Sequence, residues 1–385
     1  MDGIGIDRRT DLCLRIASMA GIVADERDNL DRDRRLPQRL FDAMADADLF
    51  RILTPARFGG QELALTDLFE VIEAASRLDG SFAWVVTNGA IMSRMAAYLP
   101  EHVARDWFSD PDCLIASSTG AVGSAKKVDG GFRVSGLWPF ASGIHGAKRV
   151  MALVTVDDGS APETRTPIAV YLPVERVEVI DNWHVAGLRG TGSCNFRATD
   201  VFVSADHSHD FITTTPLQPG LQYLVPILSA FPLSVTLVAL GLAAAAIEEF
   251  PALAERTRGG TSQLLRDRET IQTDLGRATM IHQAARALVR DALMDLQACV
   301  QNRSGDLNLS RARFRASLAH AGESSERVMT IICSAAGSSS IREDLPLERQ
   351  HRDLLAAIRH IAMGPHNFTV FGRMSMGLDP GTVRY

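Results

Sequence analysis

The chain has 385 residues, 46% of them hydrophobic and 22% charged, and a formal net charge of −6. This composition indicates a globular enzyme large enough for two or three packed subdomains. Because the sequence has no dense basic stripe interleaved with aromatic residues, nucleic-acid binding is not expected. The five cysteines form no Cys-x-x-Cys pair. We interpret them as reduced thiols of a cytoplasmic protein and predict neither a disulfide framework nor a metal site.

Helical periodicity dominates residues 1–112, which predicts an N-terminal helical domain. Apolar residues recur at helical spacing over 36–49, and further helices are predicted from Thr66 onward and over 81–98.

Short β-rich runs separated by turn residues fill residues 113–215, which predicts a middle β-barrel-like domain. Residues 126–134 are typical of two strands joined by a tight Asp-Gly-Gly turn. Further strands are predicted over 149–156, 167–172 and 195–203.

Helical periodicity returns over residues 216–385, with breaks at the glycines near 259, 305 and 337. Four long helices are the simplest interpretation and predict a C-terminal four-helix bundle. The segment 221–247 has no charged side chain and is long enough to span a bilayer. Prolines and polar residues interrupt it, so we expect a helix buried in the bundle and no membrane association. The predicted fold class is mainly α with a central β domain.

Two motifs carry the functional interpretation. Residues 136–143 read Gly-Leu-Trp-Pro-Phe-Ala-Ser-Gly, which places aromatic rings beside a hydroxyl and small residues. Residues 345–353 read Leu-Pro-Leu-Glu-Arg-Gln-His-Arg-Asp, and His360 follows. Taken alone, the first motif is also consistent with a buried strand that ends in a Ser-Gly turn.

Both motifs, and the order helical, β, helical, resemble the acyl-CoA dehydrogenase superfamily over nearly the whole chain. Dehydrogenases of that superfamily carry a catalytic glutamate eight residues after the aspartate of an Arg-Asp pair. Here the pair is Arg352-Asp353, and the eighth position is Ile361, preceded by His360. The chain therefore resembles the flavin-dependent monooxygenase branch, the oxygenase components of the group D hydroxylases.

The resemblance implies a flavin seat on the first motif. Phe140 would lie against the isoalloxazine ring, Ala141 would permit close backbone approach, and Ser142 would hydrogen-bond nitrogen 5. Ser117 or Ser118 would touch the ring from a loop where the superfamily usually has Thr-Glu-Pro, which this chain lacks.

The resemblance also implies a phosphate site across a subunit interface in a homotetramer. Arg256 matches the arginine of the superfamily's Glu-Arg-x-x-Phe-Gly motif and would bind the flavin phosphates, and Gly337 belongs to a weakened second phosphate loop. The phenylalanine of the first motif is replaced by Gly259. FMN, or a loosely held reduced flavin, therefore fits at least as well as FAD. The turn 189–193 is either an ordinary β-turn or an element of the monooxygenase branch.

His360 and Ser142 are the catalytic residues that the resemblance implies. In this branch FMNH2 or FADH2 adds O2 at carbon 4a, and the distal oxygen of the hydroperoxide moves to the substrate. His360 would remove a substrate proton or help to hold the hydroperoxide, while Ser142 would slow the loss of hydrogen peroxide. Trp84, Asn88 and Met92 share one helix face and either line a substrate pocket or form a core stripe.

Together these implications predict a two-component monooxygenase that hydroxylates a small aromatic or heteroaromatic substrate. Reduced flavin would come from a separate NAD(P)H:flavin reductase, because the chain has no Gly-x-Gly-x-x-Gly element for a nicotinamide. The alternatives are oxygenation at nitrogen or sulfur, an acyl-CoA dehydrogenase with a relocated base, and a flavin-binding scaffold without turnover.

Overall fold

The computed structural model describes residues 6–157, 165–212, 214–256, 263–382 and 385. It is 59% helical with a central sheet. The α-helices are α1 (Arg8–Ser18), α2 (Ala20–Asp33), α3 (Gln38–Asp46), α4 (Leu68–Leu78), α5 (Gly80–Ser93), α6 (Glu101–Phe108), α7 (Leu221–Leu224), α8 (Ile227–Leu253), α9 (Glu269–Asn302), α10 (Leu307–Ala336), α11 (Pro346–Ala357) and α12 (His366–Ser375). The strands are β1 (Ile115–Val128), β2 (Gly131–Ala141), β3 (Arg149–Val156), β4 (Ile168–Pro173), β5 (Glu178–Ile180), β6 (Cys194–Ser204) and β7 (Ser208–Asp210).

The chain divides into two compact units, neither of them continuous in sequence. The first unit comprises Met1–Asp67, Trp84–Val185 and Arg189–Ile227, and the second comprises Leu68–Ala83, Ala186–Leu188 and Leu228–Tyr385. The first unit contains the sheet, and the second contains nearly all of α8 and the helices that follow it. The predicted fold class is confirmed, while the bounds of the three predicted domains stay predictions.

The sheet has seven strands in the order β5-β6-β2-β1-β3-β4-β7. β1 and β2 form the predicted hairpin, with Val128 paired to Gly131 across the turn. The register between β2 and β6 shifts between Trp138 and Ala141, and Phe140 has a φ of +64°. A β-bulge of this kind redirects the side chains that follow it. It lies in the motif predicted to seat the flavin.

The uncharged segment predicted to be a buried helix forms most of α8. Its most apolar 18-residue window is 89% buried, and within the described ranges α8 is the one helix long and apolar enough to cross a membrane. Such burial identifies a core helix. Pro232 inside α8 has no N–H for the Leu228 carbonyl. Arg315 of α10 donates to that carbonyl instead, with its Nη1 3.3 Å from the oxygen.

The C-terminal helices differ from the four long ones that were predicted. α8, α9 and α10 have 27, 34 and 30 residues, but the last part of the chain forms two short helices of 12 and 10 residues, α11 and α12. A short turn at Ile361–Met363 separates the two, and Pro365 stands directly before α12, where proline is tolerated because it lies outside the helix interior. The predicted break at Gly337 is confirmed, whereas the predicted break at 259–260 lies outside the described residues.

A buried pair of carboxylates organises the second unit. Asp79 accepts hydrogen bonds from the Phe82 amide at 2.9 Å and from Arg349 Nε at 2.6 Å. Asp353, one turn after Arg349 on α11, accepts from the Leu188 amide at 2.6 Å. Burial, together with the neighbouring Asp79, raises the pKa of Asp353 to about 7. The folded protein therefore keeps the Asp353 proton to a higher pH than the unfolded chain does.

We expect the substitution Asp353→Asn to flatten the dependence of stability on pH. Between the unfolded pKa of about 4 and the folded pKa of about 7, the folded protein binds this proton more tightly, so rising pH destabilises it. The slope approaches about 1.4 kcal/mol per pH unit. Asparagine keeps an acceptor for the Leu188 amide but does not ionise.

Thermal unfolding of both proteins from pH 4.5 to 8 measures the effect. The difference in melting temperature should grow in favour of the variant as the pH rises. A difference that is the same at every pH would contradict the raised pKa.

Candidate active site

An accessible aromatic surface lies at the end of β2. Phe140 is 63% exposed, whereas Trp138, two residues earlier, is fully buried. Residues two apart on a regular strand share a face, so the bulge at Phe140 turns its ring out of the core. Trp183 meets this ring edge to face, with the centroids 6.3 Å apart. Ser118 Oγ donates to the Pro139 carbonyl at 2.5 Å and holds the bulge from the neighbouring strand.

The left-handed backbone of Phe140 is a strained conformation for a residue that is not glycine. Such strain costs on the order of 1–3 kcal/mol and is concentrated at functional sites. An aromatic ring that is held outside the core in spite of this backbone strain is consistent with a surface on which a flat ligand stacks.

Ser142, two residues after Phe140, is buried and has two side-chain partners. Trp84 Nε1 donates to Ser142 Oγ at 3.0 Å, and Ser193 Oγ lies 2.7 Å from the same oxygen. Thr191 Oγ1 lies 2.7 Å from Ser193 Oγ on the far side. Trp84, predicted as part of a substrate wall, thus orients the Ser142 hydroxyl through its indole N–H.

The turn 189–193, whose role the sequence left open, is hydrogen-bonded to the segment around Ser142. The Gly143 amide donates to the Thr191 carbonyl at 2.8 Å, which joins the turn to the segment after Ser142. Gly192 has a φ of +53°, and a Cβ at this position would lie 2.9 Å from the His145 ring. Glycine is therefore needed at Gly192 both for its backbone and for the close approach.

The other predicted residues of the first unit lie in different environments. Ala141 and Met92 are fully buried, which favours the core alternative for Met92. Asn88 is partly exposed, and its Nδ2 donates to the backbone carbonyl four residues earlier at 2.7 Å. Ser117 is partly exposed, whereas Ser118 is buried with its hydroxyl used in the bulge. Ser117 is therefore better placed to reach a ligand, and both assignments stay predictions.

In the second unit, His360 begins the short turn that separates α11 from α12. Its Nδ1 accepts a hydrogen bond from the Ala362 amide at 3.1 Å. His360 as a residue is exposed to solvent, but its ring nitrogens lie among protein atoms. Desolvation of the ring and, second, the Arg315 guanidinium lower its pKa to about 4. A neutral imidazole whose Nδ1 accepts carries its proton on Nε2. His360 is thus a neutral hydrogen-bond donor near pH 7.

Two residues that the sequence did not point to hold the His360 turn in place. Asn367 is fully buried, and its Nδ2 donates to the carbonyls of Ala362 and Gly364 at 3.2 and 2.9 Å. Arg315 Nε donates to Asn367 Oδ1 at 3.1 Å. Ile361 is 69% exposed at the position where a dehydrogenase of the superfamily has its glutamate.

Arg256 lies at a cavity of about 270 Å³ in the second unit, between the end of α8 and the start of α11. The start of a helix favours anions, and a guanidinium can bind phosphate bidentately. Gly337 ends α10 with a φ of +59° and has open space around its Cα. The remainder of the arginine motif, 257–260, lies outside the described residues. The roles of Arg256 and Gly337 stay predictions.

These residues fit the chemistry of a flavin. In the first unit, the exposed ring of Phe140 offers a stacking surface, and the Ser142 hydroxyl close by in sequence can bond a ring nitrogen. In the second unit, Arg256 offers a cation beside an apolar cavity. An aromatic wall, a hydroxyl and a phosphate partner are the groups through which proteins bind and tune such a cofactor.

Comparison with known proteins gives the same class. Residues 18–110 match the family described as acyl-CoA dehydrogenase, N-terminal domain, and residues 233–365 match acyl-CoA dehydrogenase, C-terminal domain. The pigment production hydroxylase of Rhodococcus sp. (strain ATCC 21145) is 28% identical over 90% of this chain and 91% of its own length. The oxygenase component of the FADH(2)-dependent resorcinol hydroxylase of Rhizobium sp. (strain MTP-10005) is 28% identical over 95% of this chain and 94% of its own length.

Solved structures share the whole fold. XiaF from Streptomyces sp., in complex with FADH2 and glycerol, superposes with a TM-score of 0.88 at 25% identity and covers 97% of both chains. HsaA monooxygenase from M. tuberculosis has a TM-score of 0.87 at 24% identity and covers 98% of this chain and 100% of its own. At this identity the similarity is evidence for a shared fold only. The chain is thus an oxidoreductase of flavoprotein architecture. It belongs to the acyl-CoA dehydrogenase superfamily and, within it, to the flavin-dependent monooxygenases.

We expect the His360 ring to remain neutral across the physiological pH range. In nuclear magnetic resonance of ring-labelled protein, its Cε1–H signal should be constant from pH 6 to 8 and should begin to shift only as the pH approaches about 4. The variant His360→Gln, which lacks the signal, provides the assignment. A midpoint between pH 6 and 7 would show that His360 is free to exchange protons near neutrality.

Proposed function

We propose that this chain is the oxygenase component of a two-component flavin-dependent monooxygenase that hydroxylates a small aromatic or heteroaromatic substrate. The observation that carries the proposal is the pair His360 and Ile361. An apolar side chain stands exposed where a dehydrogenase needs its carboxylate, and the adjacent imidazole is neutral. The resorcinol hydroxylase and an indole-3-acetate monooxygenase of Pseudomonas putida among the relatives support an aromatic substrate.

Each residue of the site has a role in this function. A bound reduced flavin supplies the activation of O2. Phe140 would stack against its ring, Ser142 would bond nitrogen 5, and Arg256 would pair with a phosphate. His360 would donate a hydrogen bond from Nε2 to an oxygen atom at the site. The lowered pKa of His360 favours this role over removal of a substrate proton.

Three further proposals concern the setting of the enzyme. A separate NAD(P)H:flavin reductase would deliver FMNH2 or FADH2, as the phrase oxygenase component implies for the relatives. The enzyme would be a homotetramer in which Arg256 reaches the flavin of a neighbouring subunit. The five cysteines form no disulfide in the part of the chain that the structure describes, which supports a reducing cytoplasmic location.

The proposed function is tested by supplying reduced flavin from an unrelated flavin reductase with NADH and ¹⁸O2. We expect phenols or indoles to gain one labelled oxygen atom only when the chain is present. Amine and thioether substrates in the same panel distinguish oxygenation at nitrogen or sulfur. Oxidised flavoprotein mixed with acyl-CoA substrates and an artificial electron acceptor tests the dehydrogenase alternative. Turnover in that assay, with no labelled product in the first, would overturn the proposal.

The substitution Ser142→Ala should lower the ratio of product to hydrogen peroxide about fivefold, the effect of losing roughly 1 kcal/mol from one hydrogen bond. The reason is that the bond from Ser142 to nitrogen 5 would protect the oxygenating form of the enzyme. Peroxide and product are measured together in single turnovers. Ser124→Ala on β1, where the hydroxyl makes only a long 3.4 Å bond, serves as the control. Unchanged coupling in Ser142→Ala would remove Ser142 from this role.

A further inference from the structure

A chain of three buried hydroxyls extends away from the predicted flavin contact. Ser142, Ser193 and Thr191 follow one another at oxygen-to-oxygen distances of 2.7 Å, and the Trp84 indole donates to Ser142 at the near end. We propose that Ser193 and Thr191 are positioning residues that let Ser142 either donate a hydrogen bond to flavin nitrogen 5 or accept one from it. The inference rests on the proposed function.

The Ser142 hydroxyl has a fixed number of hydrogens and lone pairs to share among its partners. A serine hydroxyl has one hydrogen and two lone pairs. Because an indole N–H can only donate, Trp84 occupies one lone pair of Ser142 in every state. One hydrogen and one lone pair remain, and Ser193 takes one of the two. Which of them Ser193 takes decides what Ser142 can offer to a ligand.

Nitrogen 5 changes its own character with redox state. In an oxidised flavin it is a hydrogen-bond acceptor, and in a reduced flavin it carries a hydrogen and donates. When Ser142 donates to Ser193, its free lone pair can accept from the reduced ring. When Ser193 donates to Ser142, the Ser142 hydrogen is free for the oxidised ring. The direction of the hydroxyl chain can therefore reverse with the redox state without leaving Ser142 or Ser193 unpaired.

Thr191 makes this reversal possible. Ser193 can accept from Ser142 only if its own hydrogen has an acceptor, and Thr191 Oγ1 at 2.7 Å provides one. In the reverse direction Thr191 donates to Ser193. All three residues are buried, where an unpaired hydroxyl costs about 1–3 kcal/mol. The chain thus keeps the Ser142 and Ser193 hydroxyls paired in both directions.

The substitution Ser193→Ala tests the inference. It removes the protein acceptor of the Ser142 hydrogen, so that Ser142 becomes a donor towards nitrogen 5. Binding of oxidised and reduced flavin is measured separately by anaerobic titration, without substrate or oxygen. We expect the ratio of the reduced-flavin Kd to the oxidised-flavin Kd to rise about tenfold. For a two-electron couple this lowers the potential of the bound flavin by about 30 mV.

Three matched variants separate this role from a general structural one. Thr191→Val should change the ratio in the same direction but less, and Thr191→Ser, which keeps the hydroxyl, should leave it unchanged. Trp84→Phe removes a donor that is the same in both states, so it should weaken both forms equally. In a Ser142→Ala background, Ser193→Ala should no longer alter the ratio, because the two residues act as one unit.

An unchanged ratio in a folded Ser193→Ala protein, while Ser142→Ala alters it, would overturn the inference and leave the proposed function standing. An effect of Ser193→Ala that persists in the Ser142→Ala background would also overturn it. If the unaltered protein binds neither flavin form, both the inference and the proposed function fail.

Discussion

The hydrogen bond from the Trp84 indole to the Ser142 hydroxyl is the interaction on which the candidate site depends. It joins α5 to the end of β2 across 58 residues of sequence, and Ser193 reaches the same oxygen from a turn 51 residues further on. Since an unpaired buried hydroxyl is costly, the helix, the strand and the turn hold their positions together. The orientation of Ser142 is therefore a property of the whole first unit.

A comparable chain of causes sets the protonation of His360 in the second unit. Pro232 leaves the Leu228 carbonyl without its helical partner, and the buried Arg315 donates to that carbonyl. The same guanidinium supports Asn367, which holds the turn that His360 begins. Burial lowers the pKa of Arg315 to about 10, so it stays charged at neutral pH and contributes to the lowered pKa of His360. One guanidinium thus connects the proline-containing part of the core helix to the turn that His360 begins.

Features with a local cause were predictable from the sequence, and those that depend on distant contacts were not. The hairpin at Val128, the core helix α8 and the break at Gly337 each have a signal within a few residues. The strand period, in contrast, places Trp138 and Phe140 on one face, and only the bulge separates them. Helical spacing selected Trp84 but could not show that its indole meets a serine 58 residues away. The lowered pKa of His360 comes from desolvation of its ring and, second, from Arg315, which no local pattern connects to it.

The groups assembled in each unit distinguish between the two chemistries known for this fold. A dehydrogenase must take a proton from carbon, which requires a base whose pKa is close to the working pH. Around Ser142 the structure provides hydroxyls and an indole, which stay neutral near pH 7. At the other candidate position it provides the apolar Ile361 and an imidazole whose lowered pKa favours the neutral form at pH 7. Groups of this kind hold and orient a cofactor and an oxygen atom by hydrogen bonds. Oxygen transfer from a reduced flavin depends more on such positioning than on a protein base.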